Sequence, residues 1–421
     1  MYSDAVLFQI FAKMKQLLIP VSFLLIATSV SCNKSGTSSI ITPVSDSFTV
    51  SVTNGYGSGT YKTGDTVHVW SNGLTATQLF NTWTGEYALL NNNDWHAWFI
   101  MPAHSVALIG NIKTIASFTL NYEQIKGRDR LKPVYSYFPA GHKGFVYLLH
   151  GTGGSALQLS SSFEAQQIIK ELVNDGFGVI ITEAEEATTG IDTNGDGKLN
   201  WAISPVDTLT NVDYVNIRNI TDTFYNRGTT NRSKMRYSLG MSNGGAYSAA
   251  LSYAYKYKAG VSYCAPAGTA LANGSTIPFE FCMMRNDNNS NVGPQGNADA
   301  LSNSQTLTSR GICSKYFIND RSPVYPQRFA RRTDISLATS TAIFNELKSK
   351  GYLDAKNCFI GYTSPLVTAF QTNPLQFPVL ASLTISQLLF VVEQLNCCIT
   401  DHQFYSDFAK LSLKFLNTQC L

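Results

Sequence analysis

A serine flanked by glycines is the residue of this sequence that is best suited to act as a nucleophile. Ser242 lies at the centre of GMSNG, which fits the pattern G-x-S-x-G. The pattern supports chemistry only where a buried strand turns sharply into a helix, because that turn holds the serine oxygen above the edge of the sheet. KMRYSLG before the serine is typical of a strand, and GGAYSAALSYAYKY after it is typical of a helix. Ser242 is therefore predicted to be a nucleophile at a strand-to-helix turn.

A serine hydroxyl needs a general base and a carboxylate that orients this base. Six histidines are present, and only His402 follows Ser242. His402 lies in a predicted loop before a final amphipathic helix and is our candidate for the general base. Asp287 directly follows the predicted strand PFEFCMMRN and is our leading candidate for the carboxylate. Asp320, after the predicted strand SKYFIN, is the first alternative. Further competitors are Asp299, Asp334, Asp354 and Asp401.

Acyl transfer also requires N–H donors for the negative charge that develops on the carbonyl oxygen. LLHGTGGSA runs from the end of a predicted strand into a glycine-rich loop. We predict that the N–H of Thr152 or Gly153 is one donor of this oxyanion hole and that the N–H of Asn243 is the second. His150 lies in the same segment and is predicted to orient the loop.

Oxygen-bearing side chains alternate in the segment DTNGDGKLNW. Asp192, Asn194 and Asp196 match the first half of an EF-hand-type calcium loop. The twelfth position is Ile203 rather than glutamate, so the site would need Asp207, another carboxylate or water to be complete. A structural calcium ion at these three residues is one prediction, and a solvated turn is the alternative. No cofactor is expected for catalysis.

Beyond residue 116, predicted strands alternate with predicted helices. SFTLNYEQI and LKPVYSYFP are predicted to form a hairpin, and GFVYLLH, FGVIITEA and AGVSYCAPA are typical of buried strands. Residues 161–174 and about 208–226 are predicted to be helices. The alternation predicts an α/β fold with a mostly parallel sheet flanked by helices. Residues 321–399 are predicted to be an insertion in this domain of residues 116–421, and a candidate lid.

Residues from about 117 to 421 resemble the α/β-hydrolase superfamily, and within it the extracellular group of polyhydroxybutyrate depolymerases and feruloyl esterases. The resemblance is carried by LLHGTGGSA, VDYVNIRNITDTFYN with Asp213, RYSLGMSNGGAYSAAL and DHQFYSDF. It implies an α/β-hydrolase fold and a serine esterase that works through an acyl-enzyme. It also implies the chain order nucleophile, acid, histidine, which Ser242, Asp287 and His402 follow.

Residues 47–115 alternate apolar and polar side chains between turns rich in Gly, Asn and Asp, which predicts a small all-β module. The succession of GYGSGTY, GDTV, WTG and MPA resembles an internalin-type bacterial β-repeat and implies a spacer or accessory module. Trp70, Trp95 and Trp98 are expected either to fill the core of this module or, if exposed, to form a surface that binds sugars.

The first residues of the chain have the features of an export signal. A lysine-containing start, a short apolar run and small residues at its end assign residues 1–31 to a signal peptide. SVSC, which ends at Cys32, resembles the lipobox of bacterial lipoproteins and implies lipidation of Cys32. Residues 32–46 are rich in Ser, Thr and Gly and are predicted to be a flexible tether. The expected location is the cell envelope or the exterior of a bacterium.

Eight cysteines are present, seven of them after Cys32. An exported location permits disulfides, and the odd number leaves at least one thiol unpaired within the chain. The spacing of the cysteines leaves the pairings open. Cys264 and Cys282 are predicted to be buried residues of strands.

The sequence therefore predicts an exported serine hydrolase of carboxylic esters, acting on carbohydrate-linked acyl, feruloyl or polyester-type substrates. The alternatives are a serine peptidase and a catalytically inactive surface protein that binds glycans. A formal net charge of +3 over 421 residues gives no electrostatic case for binding nucleic acid. The expected partners are the ester substrate, as part of a polysaccharide or polymer, and the membrane through the lipid anchor on Cys32.

Overall fold

A computed structural model of the chain describes residues 46–72 and 75–420. The predicted signal peptide, the lipidation site at Cys32 and all of the tether except residue 46 lie outside the described residues. Within the described part of the chain, no helix is long and apolar enough to cross a membrane.

The N-terminal module consists of two small sheets that share one apolar core. Its strands are β1 Ser47–Thr53, β2 Gly55–Tyr56, β3 Gly59–Lys62, β4 Thr66–Ser71, β5 Gln78–Gly85, β6 His96–Ile100 and β7 Val106–Thr114. One sheet has the order β3-β1-β7-β5 and the other β2-β4-β6. Trp70 and Trp95 are only 4% and 8% exposed and belong to the core, and Trp98 is half-buried. Of the two interpretations of the tryptophans, the structure therefore supports the core for Trp70 and Trp95.

An eight-stranded, mostly parallel sheet forms the centre of the larger domain. Its strands are β8 Asn121–Lys126, β9 Leu131–Tyr137, β10 Gly144–Leu149, β11 Phe177–Thr182, β12 Met235–Met241, β13 Ala259–Tyr263, β14 Phe279–Met284 and β15 Ser314–Asn319. The order is β15-β14-β13-β12-β10-β11-β9-β8, and β9 is antiparallel to both of its neighbours. The hairpin of β8 and β9 and the parallel strands that follow confirm the predicted α/β-hydrolase fold.

Helices cover both faces of this sheet. They are α1 Ala156–Ser161, α2 Phe163–Asn174, α3 Glu185–Thr189, α4 Val212–Asn226, α5 Asn243–Tyr255, α6 Thr269–Gly274 and α7 Gly293–Ser309. Val146 and Leu148 of β10 face the core that includes α2, whereas Phe145, Tyr147 and Leu149 face the core that includes α4 and α5. This alternation is what period-two side-chain geometry requires of a strand that is buried on both faces.

Two of the predicted helices begin later than the apolar pattern indicates. The helix expected at 161–174 is divided, because Ser162 is extended and its side chain caps α2. The helix expected from about residue 208 begins at Val212, because the side chain of Asn211 accepts a hydrogen bond from the N–H of Asp213 and caps it.

Residues in the predicted insertion form a helical region with its own apolar core. Its helices are α8 Leu337–Ser349, α9 Ser364–Thr372, α10 Pro378–Ala381 and α11 Ile385–Ile399, and the chain then continues to α12 Ala409–Thr418. The core includes Phe329, Leu347, Phe359 and Leu395, each essentially inaccessible to solvent. Phe390 of α11 contacts Phe163 of α2. A role of this region as a lid stays a prediction.

One disulfide links the edge of the sheet to the C-terminal helix. Cys313, directly before β15, is bonded to Cys420, which follows α12. Cys282 is free and buried within β14, as predicted for a strand residue. Cys264 is also free and buried, but it follows β13 instead of lying in it, because its φ of +53° ends the extended strand.

Candidate active site

Ser242 lies in a strained turn between β12 and α5. Its φ of +56° is in the left-handed region, which a non-glycine residue seldom adopts. Its N–H donates to the carbonyl of Tyr263 at 2.8 Å and holds the turn against β13. A Cβ at Gly240 would lie 2.0 Å from the Gly244 carbonyl oxygen, and one at Gly244 would lie 2.3 Å from the His150 carbonyl oxygen. The two glycines are therefore required for the close approach of strand, turn and helix.

His402 connects the serine to a carboxylate. Its Nε2 lies 2.8 Å from the Ser242 Oγ, and its Nδ1 lies 2.7 Å from Oδ2 of Asp287. An ionised carboxylate only accepts hydrogen bonds, so Nδ1 carries the proton and Nε2 accepts from the serine hydroxyl. Asp287 is 2% exposed and Ser242 is 9% exposed, which shields the chain of hydrogen bonds from water. The structure thus brings together the three residues that the sequence singles out.

The alternative acids are engaged elsewhere. Asp320 pairs with Arg285 at 2.8 Å, and both side chains are about half exposed. Asp299 accepts from Gln295, and Asp334 pairs with Arg332. Asp354 accepts backbone N–H groups in its own turn.

Asp401 supports His402 rather than replacing Asp287. Its Oδ1 accepts from the N–H of His402 at 2.7 Å and from the N–H of Asn288 at 3.1 Å. It therefore ties the histidine loop to the loop that carries Asp287. Burial raises the pKa of Asp401. The sequence offered Asp401 only as a competing acid, and its bridging contact depends on a loop that is distant in the chain.

Cys264 lies next to Asp287 and His402. Its Sγ, a carboxylate oxygen of Asp287 and a ring nitrogen of His402 all lie within 4.8 Å of one another. The thiol donates to the carbonyl of Gln403 at 3.3 Å. Burial, together with the charge of Asp287, raises the pKa of the thiol well above its usual value. Cys264 is therefore a neutral thiol that braces the histidine loop, and not a competing nucleophile.

The N–H groups near Ser242 distinguish the two candidates in the glycine-rich loop. The N–H of Gly153 donates to the carbonyl of Leu199 at 2.8 Å. The N–H of Gly153 is therefore not available to an oxyanion, because it already donates to Leu199. Within the described residues, the N–H of Thr152 and the N–H of Asn243 donate to no protein acceptor. Asn243 is the first residue of α5, where N–H groups have no partner within the helix.

His150 is a structural residue of the glycine-rich loop. Its Nε2 accepts from the N–H of Ala184 at 3.0 Å, and its Nδ1 donates to the carbonyl of Gly151 at 2.7 Å. These two bonds require the neutral ring with the proton on Nδ1. Burial is the main cause that lowers the pKa of His150 to about 4. Both bonds hold the loop that carries Thr152.

The loop of the predicted calcium residues is closed by its own hydrogen bonds. Asp192 accepts from the N–H groups of Asn194, Gly195 and Gly197, and Asp196 accepts from that of Lys198. Asn194 accepts in turn from the N–H of Asp196. Asp207, a proposed completing ligand, accepts from Leu209 and Thr210 in a separate turn. Calcium binding by Asp192, Asn194 and Asp196 stays a prediction.

Comparison with known proteins gives structural likeness only. No family model matches the chain, and no curated protein does. A dienelactone hydrolase from Anabaena variabilis is 14% identical, with 49% of this chain and 88% of that chain covered and a TM-score of 0.37. A serine hydrolase without a lid from Xanthomonas campestris is 12% identical, with 50% and 88% covered and a TM-score of 0.32. A ferulic acid esterase is 10% identical, with 48% and 89% covered and a TM-score of 0.35. Any statement about activity therefore depends on the geometry of the site itself.

Proposed function

We propose that this protein is a serine hydrolase that cleaves carboxylic esters through an acyl-enzyme. The observation that carries the proposal is the continuous hydrogen-bonded chain from Asp287 through His402 to Ser242. The serine is presented on a strained strand-to-helix turn, which is the position from which a nucleophile reaches a substrate above the sheet.

The reaction starts with attack of the Ser242 Oγ on the carbonyl carbon of the ester, while Nε2 of His402 takes the hydroxyl proton. The carbonyl oxygen becomes an oxyanion, and the N–H groups of Thr152 and Asn243 donate to it. When the tetrahedral intermediate collapses, His402 returns the proton to the departing alcohol. Water activated by the same nitrogen then attacks the acyl-enzyme and releases the acid and the free serine.

Asp287 contributes by stabilising the imidazolium that forms when His402 takes the proton. The buried carboxylate faces Nδ1 and also accepts from the N–H of Asn289 at 2.9 Å, which fixes its orientation. This arrangement keeps Nε2 free of its own proton in the resting enzyme, as a general base requires.

The same three residues could also cleave amides, as a serine peptidase does. Esters are the proposed substrates because the sequence motifs resemble those of extracellular ester hydrolases. Carbohydrate-linked acyl groups, feruloyl groups and polyesters as substrates rest on this resemblance, as do export and a lipid anchor on Cys32. The glycan-binding alternative loses support at Trp70 and Trp95, which are buried in the core of the β-module.

The test is steady-state and pre-steady-state hydrolysis of p-nitrophenyl acetate, methyl ferulate and a p-nitroanilide amide. We expect turnover of the esters, little of the amide, and an initial burst of p-nitrophenol with one equivalent per enzyme. Ser242→Ala should abolish both burst and turnover. Ester turnover that survives in Ser242→Ala would overturn the proposal, and faster cleavage of the amide would favour the peptidase.

A further inference from the structure

We infer that the segment of residues 199–201 positions both donors of the oxyanion hole, with Asn200 as a positioning residue for Thr152. The inference rests on the proposed function and adds residues that do not touch the reacting atoms. It also gives the DTNGDGKLNW loop a role that does not depend on bound metal.

The first half of the oxyanion hole is held by two consecutive residues of this segment. The Thr152 hydroxyl donates to Oδ1 of Asn200 at 2.7 Å. The carbonyl of Leu199 accepts from the N–H of Gly153 at 2.8 Å. One bond thus fixes the Thr152 side chain and the other fixes the peptide that follows it. Together they restrain the backbone next to the Thr152 N–H.

Trp201 holds the second half of the oxyanion hole, on the side of Asn243. The N–H of Trp201 donates to Oδ1 of Asn243 at 2.7 Å, and its indole N–H donates to the carbonyl of His150 at 2.9 Å. The indole also stacks on the ring of Tyr247 in α5, with 4.7 Å between ring centroids. Trp201 therefore contacts both the strand end before the glycine-rich loop and the first turn of α5.

Buried carboxylates hold the segment itself. Glu186 accepts from the N–H of Asn200 at 2.8 Å and from the N–H of Thr193 at 2.9 Å. Asp213 accepts from the N–H of Ala202 at 2.8 Å and from that of Glu185 at 2.7 Å. Both acids are buried in the fold. The segment is thus anchored on either side of the residues that touch the oxyanion hole.

An oxyanion hole depends on such support because its donors act through their position. Donors must stand 2.7–3.1 Å from the place that the oxyanion will occupy, and a displacement of about 1 Å can cost about a hundredfold in rate. Thr152 is exposed at the tip of a glycine-rich loop, where little packing restrains it. Its bond to Asn200 therefore supplies a restraint that packing does not.

The experiment is a double-mutant cycle of Asn200→Ala and Thr152→Val, measured in the full chain with p-nitrophenyl acetate. Thr152→Val removes the hydroxyl and keeps the backbone N–H. We expect each single variant to lower kcat by about tenfold with an almost unchanged KM. The double variant should lose no more than either single one, because both remove the same restraint. Affinity for a trifluoromethyl ketone, which forms a tetrahedral oxyanion adduct, should fall in parallel with kcat. Asn226→Ala, at an exposed asparagine that ends α4, is the matched control and should retain wild-type values.

Three results would overturn the inference while leaving the proposed function intact. They are an unchanged kcat in both single variants, losses that multiply in the double variant, or a loss confined to KM. Absence of ester turnover in the folded wild-type protein would instead contradict the proposed function. If Asn200→Ala does not fold, as judged by its melting temperature, Thr152→Val still tests the inference through kcat and ketone affinity.

Discussion

The carboxylate of Asp287 determines which nitrogen of His402 is available to the serine. Replacing Asp287 by asparagine preserves the shape of the side chain but allows its amide to donate to Nδ1, which would place the proton on Nε2. We expect Asp287→Asn to lower kcat by a factor on the order of 10⁴ with little change in melting temperature. Steady-state kinetics with p-nitrophenyl acetate measures this.

Asp320→Asn is the matched control, because Asp320 was the alternative acid and lies on the surface with Arg285. It should retain wild-type kcat. A larger loss in Asp320→Asn than in Asp287→Asn would show that the acid has been assigned incorrectly.

His150 makes stability depend on pH, because its ring is neutral when buried. Its pKa is lowered from 6.5 to about 4, chiefly by burial. Between these values the unfolded chain binds a proton at His150 that the folded protein does not, so the contribution of His150 to the free energy of unfolding falls as pH falls from about 6.5 to about 4. Across this range of pH, the contribution of His150 to the free energy of unfolding changes by about 3 kcal/mol. Urea unfolding of wild type and His150→Gln between pH 4 and 7 measures it. An equally steep pH dependence in His150→Gln would contradict this assignment.

At the scale of residues, the sequence was sufficient to predict those site residues whose positions follow from chain order and from the ends of strands. Ser242 follows a recognisable strand, His402 is the only histidine after it, and Asp287 follows another strand. The choice between Thr152 and Gly153 could not be made from the sequence, because it depends on a hydrogen bond from Gly153 to Leu199 in a different loop. The support that Asp401 gives to His402 could not be predicted for a similar reason, because Asp401 also accepts from Asn288 in a loop that is distant in the chain.

At the scale of elements, the disulfide joins β15 to the end of α12. It closes a loop with a sequence separation of 107 residues between Cys313 and Cys420. We expect Cys313→Ser/Cys420→Ser to lower the free energy of unfolding by about 2–5 kcal/mol, because a long loop gains conformational freedom in the unfolded chain. Denaturant unfolding of the double variant measures the loss. Cys358→Ser, at a free cysteine, should change stability much less; an equal loss there would contradict the explanation.

The strands of the central sheet were predictable because they are continuous apolar runs. GFVYLLH and FGVIITEA became β10 and β11, with every residue of both strands buried. Helix starts were less predictable, since a capping side chain such as Asn211 overrides the apolar pattern. The disulfide could not be assigned, because cysteine spacing carries no information on which residues meet in space.

At the scale of the whole molecule, the β-module and the insertion pack against each other and against the rest of the larger α/β domain. Tyr325 stacks on Trp70 with 4.2 Å between ring centroids. Asp94 of the module accepts from the N–H of Lys410 in α12 at 3.1 Å. These contacts join segments that are hundreds of residues apart, so the sequence could not indicate them.

Arg331 contacts all three of these parts. Its guanidinium lies 3.8 Å from the ring centroid of Trp95 and donates to Glu164 of α2 and to Gln394 of α11, each at 2.7 Å. Arg331→Met would remove the cation that donates directly to the buried carboxylate of Glu164. We expect the free energy of unfolding to fall by about 3–5 kcal/mol, as measured by denaturant titration.

Arg332→Met provides the comparison, because the neighbouring arginine pairs with the half-exposed Asp334. The expected loss there is at most about 1 kcal/mol. Equal losses in the two variants would contradict the view that Arg331 joins the three parts of the molecule.

The central claim is that Ser242 is an activated nucleophile, and reaction with a serine-directed fluorophosphonate tests it most directly. Intact-mass analysis and peptide mapping should find one adduct per chain, on Ser242, and none in Ser242→Ala. Labelling should also be strongly slowed in His402→Ala, which lacks the base. An adduct on another residue, or a folded wild-type protein that forms none, would contradict the account.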